Sequence, residues 1–272
     1  MAMVAVAVKA ELASVVDECA ERWSLRVGDP FPYAYASVAL PARTVDGEDV
    51  VLKVQIPHRE SEHEAEALRV WDGDGAVRLL AHDPKRHALL LERCRPGTAL
   101  RELEQDAALH VLVRLLPRLW KLVAEPFRPL ADEAAWWLEY LPETWKGDGD
   151  LLDAALGALG ELASTQGEQV LVNQDLHADN VLAAAREPWL VIDPKPLAGE
   201  REFAVAPIVR SWELGESKAD VLHRFDRLTA ELGLDRERAR GWAVAHAVVR
   251  SFLGDPVKPH CVEVARWLLR AG

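Results

Sequence analysis

Apolar positions along the chain follow two periods, and the change from one to the other divides it. Residues 10–23 place Leu12, Val15, Val16, Cys19 and Trp23 at i, i+3, i+4 spacing, which predicts an amphipathic helix. Beyond Gly28-Asp29-Pro30 the pattern shortens to strand-like runs at Tyr35–Ala42, Val50–Ile56, Ala76–Leu80 and His87–Glu92. Asp46-Gly47 separates the first two runs and predicts a tight hairpin, because glycine accepts the positive φ such a turn requires. Glu60 to Trp71 reads as a helix inserted between the second and third runs, with Glu64, Leu68 and Trp71 near one face.

From residue 98 onward the helical period dominates. Helices are predicted at Ala99–Leu122, broken or kinked by Pro117, and at Leu151–Ser164, Ala219–Leu232, Arg236–Phe252 and Pro259–Leu269. Short strands are predicted at Gln169–Asn173, Val181–Ala184 and Trp189–Asp193. Residues 124–149, rich in Trp and Pro, read as irregular. The pattern describes an α+β chain with a small sheet-bearing part (1–93), a connector at 94–97 and a larger helical part (98–272).

Composition narrows the class. The 272 residues are 50% hydrophobic, too apolar for disorder and ample for a core. A net charge of −12 argues against nucleic acid or an anionic membrane as the main partner. Cys19, Cys94 and Cys261 are odd in number and far apart, which implies no disulfide framework and suits a reducing cytoplasm. The apolar start, Met1 to Val8, lacks the basic flank and length of a signal peptide or a membrane span. Ten Trp against five Phe and three Tyr is the one compositional oddity.

The chemistry concentrates in Val172-Asn-Gln-Asp-Leu-His-Ala-Asp-Asn180 and Trp189-Leu-Val-Ile-Asp-Pro194. A strand enters a polar loop, and a hairpin returns to end on Asp193, so Asp175, Asn180 and Asp193 should converge at neighbouring strand ends. Phosphoryl transfer needs such a set: one carboxylate to take a hydroxyl proton, and an Asn and an Asp as hard oxygen ligands for Mg²⁺. It also needs a cation on the nucleotide phosphates. Lys53, alone in the apolar run Val50–Ile56, is placed for that role with Glu64 as its partner, although a surface Lys on an edge strand would give the same pattern. Asp175, His177 and Asp179 could alternatively ligate a transition metal, as in a metallohydrolase.

Asp-x-x-x-x-Asn followed by Ile-Asp resembles the signature of the aminoglycoside phosphotransferases. Residues 187–200 (Glu-Pro-Trp-Leu-Val-Ile-Asp-Pro-Lys-Pro-Leu-Ala-Gly-Glu), 77–80 and 89–93 sharpen the likeness to the aminoglycoside/hydroxyurea resistance kinases, over roughly residues 15–270. The resemblance implies a bilobal protein-kinase-like fold and an ATP-dependent kinase, with GTP as an alternative donor, Mg²⁺ as cofactor, and a small hydroxylated acceptor, either hydroxyurea or an aminoglycoside such as streptomycin, with an unrelated small metabolite as the alternative. It implies that Asp175 is the catalytic base, that Asn180 and Asp193 hold Mg²⁺, and that Lys53 and Glu64 form the nucleotide-activating pair. It further implies adenine contacts at the Glu92 carbonyl and the Cys94 N–H, with Leu91 beside them.

Three departures from the family pattern stand out. Asn173-Gln174 replaces the usual His at the head of the loop, and Asn is expected to donate a comparable hydrogen bond. Pro32-Tyr-Ala-Tyr-Ala-Ser37, the expected phosphate lid, has no Gly and leaves Ser37 as its contact. Glu200-Arg-Glu-Phe-Ala204 replaces an Asp-Pro-x-Phe-Asp pattern. These departures keep open a kinase-like binding protein without turnover. Trp136, Trp137 and Trp145, next to Glu139, Glu143, Asp148 and Asp150, are the expected site for an amine-bearing acceptor, with Trp137, Glu139 and Glu143 as its contacts.

Overall fold

The computed structural model describes residues 2–32, 37–123, 125–252 and 258–271, and their side chains from Leu12 onward. Helix α1 (Ala2–Arg22) precedes a five-stranded antiparallel sheet. Its strands are β1 (Arg26–Val27), β2 (Ser37–Arg43), β3 (Asp49–Gln55), β4 (Leu79–Asp83) and β5 (Ala88–Glu92), in the order β1-β2-β3-β5-β4. The β2–β3 turn forms where Asp46-Gly47 predicted it, with Gly47 at φ +88°. Alternation on β3 settles the rest of this part. Leu52 and Val54 face a cluster with Val16 and Cys19 of α1. Lys53 points the other way, toward helix α2 (Glu64–Trp71).

Two expectations shift here. The predicted helix over 60–71 is a short 3₁₀ turn (Arg59–Ser61) and then α2, separated at His63, whose φ is +64°. The run 76–80 divides, because Ala76 and Val77 pair with Val191, far along the chain, and the sheet strand begins only at Leu79. The expected strand start at 35 and the lid residues 33–36 lie outside the described residues.

After the connector come α3 (Gln105–Leu119), α4 (Leu130–Thr144) and α5 (Gly149–Ser164). Two small antiparallel ladders follow, β6 (Val170–Asn173) with β9 (Pro196–Gly199), and β7 (Val181–Ala183) with β8 (Trp189–Val191). Helices α6 (Ala206–Arg210), α7 (Lys218–Leu232), α8 (Arg236–Phe252) and α9 (Pro259–Leu269) complete the chain. Pro117 falls in the last turn of α3, and the helix ends two residues later.

The expectation of irregular structure over 124–149 is overturned by α4. Pro129 stands at its N-cap, where a missing N–H costs nothing, and Pro142 lies in its final turn. Between them Leu130, Glu133, Ala134, Trp137 and Leu141 form a buried helical stripe, a signal that the Trp and Pro content masked. One continuous core runs from Leu68 and Trp71 of α2 through α3 and α4 to α8 and α9. The Trp71 indole donates to the Leu119 carbonyl at 2.9 Å, tying the sheet-bearing part to the helical one. Glu200, next to β9, is buried under Arg238 and Trp242 of α8 and anchors that helix to the strand.

Candidate active site

Strand β3 and helix α2 bring the first pair together. Lys53 Nζ donates to Glu64 Oε1 (2.8 Å) and Oε2 (2.7 Å), and both side chains are almost wholly buried. The same ammonium reaches Asp193 Oδ1 at 2.6 Å, 140 residues away in sequence. Burial alone would push the Lys53 pKa down, but the carboxylates of Glu64 and Asp193 outweigh it and hold the amine charged above its ordinary range. The amide of Gln55, two residues along the same strand face, also donates to Glu64.

Asp193 follows β8 in a left-handed conformation, φ +48°, rare for a residue other than Gly and a mark of a constrained position. Lys195 Nζ meets its Oδ1 at 2.5 Å. Burial raises the Asp193 carboxyl, yet Lys53 and Lys195 hold it well below the usual carboxylate range. Lys195 is a site residue the sequence reading missed. Its signal was a Lys two positions after the Mg²⁺-ligand candidate.

The loop after β6 presents Asp175 and Asn180. Arg210 Nη2 donates to Asp175 Oδ1 at 2.7 Å and Arg250 Nη2 to the same oxygen at 3.2 Å. Oδ2 takes neither of these bonds and has His177 Nε2 3.9 Å away. Burial raises this carboxyl, but Arg250 and then Arg210 bring it below its ordinary value, so Asp175 is ionised. Neither arginine was foreseen, because each lies on a distant helix with no local motif to mark it.

Asn173 holds the two halves of the site in register. Its Oδ1 accepts from the backbone N–H of Asp175 (3.0 Å) and of Lys195 (2.9 Å), so one side-chain oxygen ties the 174–180 loop to the segment after Asp193. The expectation that Asn173 donates is corrected: it accepts, and its own Nδ2 has no partner among the described residues. Asn180 Nδ2 donates to the Asp175 carbonyl (3.0 Å) and meets His177 Nε2 at 3.1 Å, which leaves Asn180 Oδ1 open. With one unengaged oxygen on Asn180 and one on Asp193 among the described contacts, the donor set suits a hard divalent cation.

The rival ligand set is not assembled. The group within mutual reach is His177, Asp179 and Glu213, without Asp175. Its members already serve one another and a neighbour. Glu213 takes His177 Nδ1 at 2.8 Å and the Asp179 N–H at 3.2 Å, and Asp179 pairs with Arg101.

The remaining expected residues fall as follows. Ser37 opens β2 opposite Gln55. Glu92 ends β5 with its carboxylate on Arg186 (2.8 and 2.9 Å), while Leu91 is buried within the sheet. Cys94 is buried in the connector, and burial pushes its thiol up to about 12, so it is a packing group and not a nucleophile.

The acceptor expectation for Trp137 is overturned. Trp137 is 1% exposed and packs on Phe203 and His246, so its face is closed to any acceptor. Trp136 stacks on Tyr140 beneath Arg59, and Trp145 lies on Phe252. Glu139 and Glu143 are exposed on α4, and neither lines the cavity beside Asp175. That cavity, about 230 Å³, is bounded instead by Asp175 and His177 of the 174–180 loop and by residues of α6, α8 and the segments after them, with Trp212 the tryptophan at its wall. The physical reason is helical phase: a stripe that buries Trp137 turns positions 139 and 143 outward.

Comparison with known proteins shows the family. Residues 22–253 match the family described as aminoglycoside/hydroxyurea antibiotic resistance kinase. A hydroxyurea phosphotransferase from Kitasatospora aureofaciens is 43% identical over 243 residues, covering 86% of this chain and 70% of that one. A streptomycin 6-kinase from Streptomyces glaucescens is 42% identical over 245 residues, 86% of this chain and 80% of that one. Among solved structures, choline kinase LicA from Streptococcus pneumoniae superposes with a TM-score of 0.67 at 12% identity, over 95% of this chain and 98% of that one. That level of identity speaks for the protein-kinase-like fold alone. No described helix is long and apolar enough to cross a membrane.

Proposed function

The chain belongs to the aminoglycoside/hydroxyurea antibiotic resistance kinase family, and from that membership and the site geometry we propose that it transfers the γ-phosphoryl group of ATP to a hydroxyl of a small acceptor of the aminoglycoside or hydroxyurea type. The supporting observation is the convergence of Asp175 and Asn180 of one loop, Asp193 after β8 and Lys53 of β3, three separate segments braced by the double acceptor Asn173.

In this reading Lys53, kept charged by Glu64, neutralises the nucleotide phosphates. Asn180 and Asp193 would hold Mg²⁺, which would supply positive charge against the nucleotide phosphates. Asp175, its Oδ1 fixed by Arg210 and Arg250, turns Oδ2 to the acceptor hydroxyl, orients it for in-line attack and takes its proton. Lys53 and Lys195 then face the charge that develops on the leaving phosphate. GTP serves as donor if the connector backbone accepts guanine.

The test is ADP formation from Mg–ATP with hydroxyurea or streptomycin as acceptor, and phosphorus NMR of the product. Asp175→Asn should lower kcat about 10²–10⁴-fold, the usual worth of a general base, with ATP binding retained. Undiminished turnover in that variant would remove Asp175 from the role. Calorimetric ATP binding with no ADP formation from any acceptor would replace the kinase with a binding protein.

A further inference from the structure

The cavity beside Asp175 differs in charge from what a polycationic acceptor requires. Arg210, Arg250 and Lys258 all line it. The Arg210 side chain is 10% exposed, and among the described residues only one of its five N–H donors has a partner, the bond to Asp175. Its buried Nε has none, and neither does that of Arg250, whose other nitrogens reach Glu60 and Asp175. Lys258 pairs with no carboxylate among the described residues. Of the carboxylates that could balance this charge, Asp175 is shared between both arginines, Glu60 belongs to Arg250, and Glu213 is engaged by His177. Burial and the neighbouring arginines hold the Lys258 amine below its ordinary range, a repulsion that an anionic or oxygen-rich group would relieve.

Guanidinium forks match planar oxygen groups two bonds at a time, and an ammonium in the same place would add a positive charge to three already present. At about 230 Å³ the cavity is also smaller than the roughly 300–1,000 Å³ typical of drug-sized ligands. We propose that the acceptor carries, next to the hydroxyl that is phosphorylated, a planar oxygen group without positive charge, a carboxylate or the carbonyl of an amide or urea, which seats on Arg210, Arg250 and Lys258. This rests on the kinase reading above. In the reaction the bond between the γ-phosphorus and the β–γ bridging oxygen breaks, the acceptor oxygen bonds to that phosphorus, the hydroxyl proton passes to Asp175, and ADP leaves.

A matched series isolates the group: 3-hydroxypropanoate, 3-hydroxypropanamide and 3-amino-1-propanol share a skeleton and differ only in carboxylate, carbonyl or ammonium. Hydroxyurea and streptomycin extend the comparison. ADP release gives kcat/KM, and calorimetry in the presence of ADP gives binding. The carboxylate or the carbonyl compound should exceed the amine by about tenfold or more, and which of the two leads identifies the source of the oxygen group. Lys258→Glu, a position that makes no described contact with Asp175, should erase most of that preference while the KM for ATP stays within about twofold.

Preference for the amine or for streptomycin in the unaltered protein overturns the proposal. So does a Lys258→Glu variant that raises the KM for ATP and leaves acceptor preference unchanged, since the cations would then serve the nucleotide. If no oxygen-bearing compound binds while Asp175-dependent hydrolysis of Mg–ATP persists, the acceptor proposal fails and the kinase reading stands. Loss of that hydrolysis as well would fell both.

Discussion

Replacing Asn173 by Ala removes one oxygen and with it two hydrogen bonds, those from the Asp175 and Lys195 N–H groups. Asn173 is 4% exposed, so no water stands ready to replace it. A buried donor stripped of its partner costs about 1–3 kcal/mol, which makes the pair worth about 2–6 kcal/mol. For a chain of this length that corresponds to about 4–12 °C in Tm, at about 2 °C per kcal/mol. Because the bridge also sets the distance between Asp175, the proposed base, and the segment after Asp193, kcat should fall as well, about 10²-fold for a displacement near 1 Å.

Gln174 supplies the matched control. It is 1% exposed and its Nε2 has no partner, so Gln174→Met removes an amide of similar size and position without breaking a described bond. Its stability should hold or rise. Thermal melts and steady-state ADP release on both variants decide the matter. An Asn173→Ala protein that melts within about 1 °C of the parent and turns over normally refutes the reasoning, as does Gln174→Met falling just as far.

Trp137→Ala should cost about 3–5 kcal/mol of stability through the cavity it leaves, seen as a lower denaturation midpoint, while the acceptor KM of the folded fraction stays unchanged. The Asp175 carboxyl, lowered by Arg250 and Arg210, stays ionised as pH falls through the ordinary carboxylate range. Its ion-pair stabilisation is therefore present above the unfolded value and is lost only below it. The acid limb of kcat/KM should accordingly lie below the ordinary carboxylate range, and a limb set by this group within or above that range would contradict the assignment. With its thiol pushed up to about 12, Cys94 should carry only about one thiolate in 10⁴ at pH 8. Mass spectrometry after iodoacetamide should find it unmodified in the native protein and labelled after denaturation.

Much of the site was legible because its spacing is local. Asp175 and Asn180 sit on one loop and Asp193 ends the next hairpin, so a strand–loop–hairpin pattern is enough to bring them near. Lys53 was visible as a lone charge in an apolar strand, and α2 follows that strand closely enough to make Glu64 a natural partner. Helix α4 was legible in principle, through the stripe at 130, 133, 134, 137 and 141, but residue types associated with loops obscured its period.

Sequence by itself determined most of the elements outside α4, the alternation that sends Lys53 away from α1, and the Asp, Asn and Lys groups suited to phosphoryl transfer, because period and short spacing act within a few residues. The tertiary structure alone decided the surroundings of Asp175. Arg210 and Arg250 reach Asp175 from 35 and 75 residues away, and Lys258 joins them across the same cavity. Such contacts depend on how helices α6 and α8 pack, and no local pattern encodes them. The acidic residues near 139–150 suggested an amine-bearing acceptor. Folding turned Glu139 and Glu143 outward to water and placed the cations beside the base, because the electrostatics of a cavity follow from which side chains converge there and not from the net charge of −12.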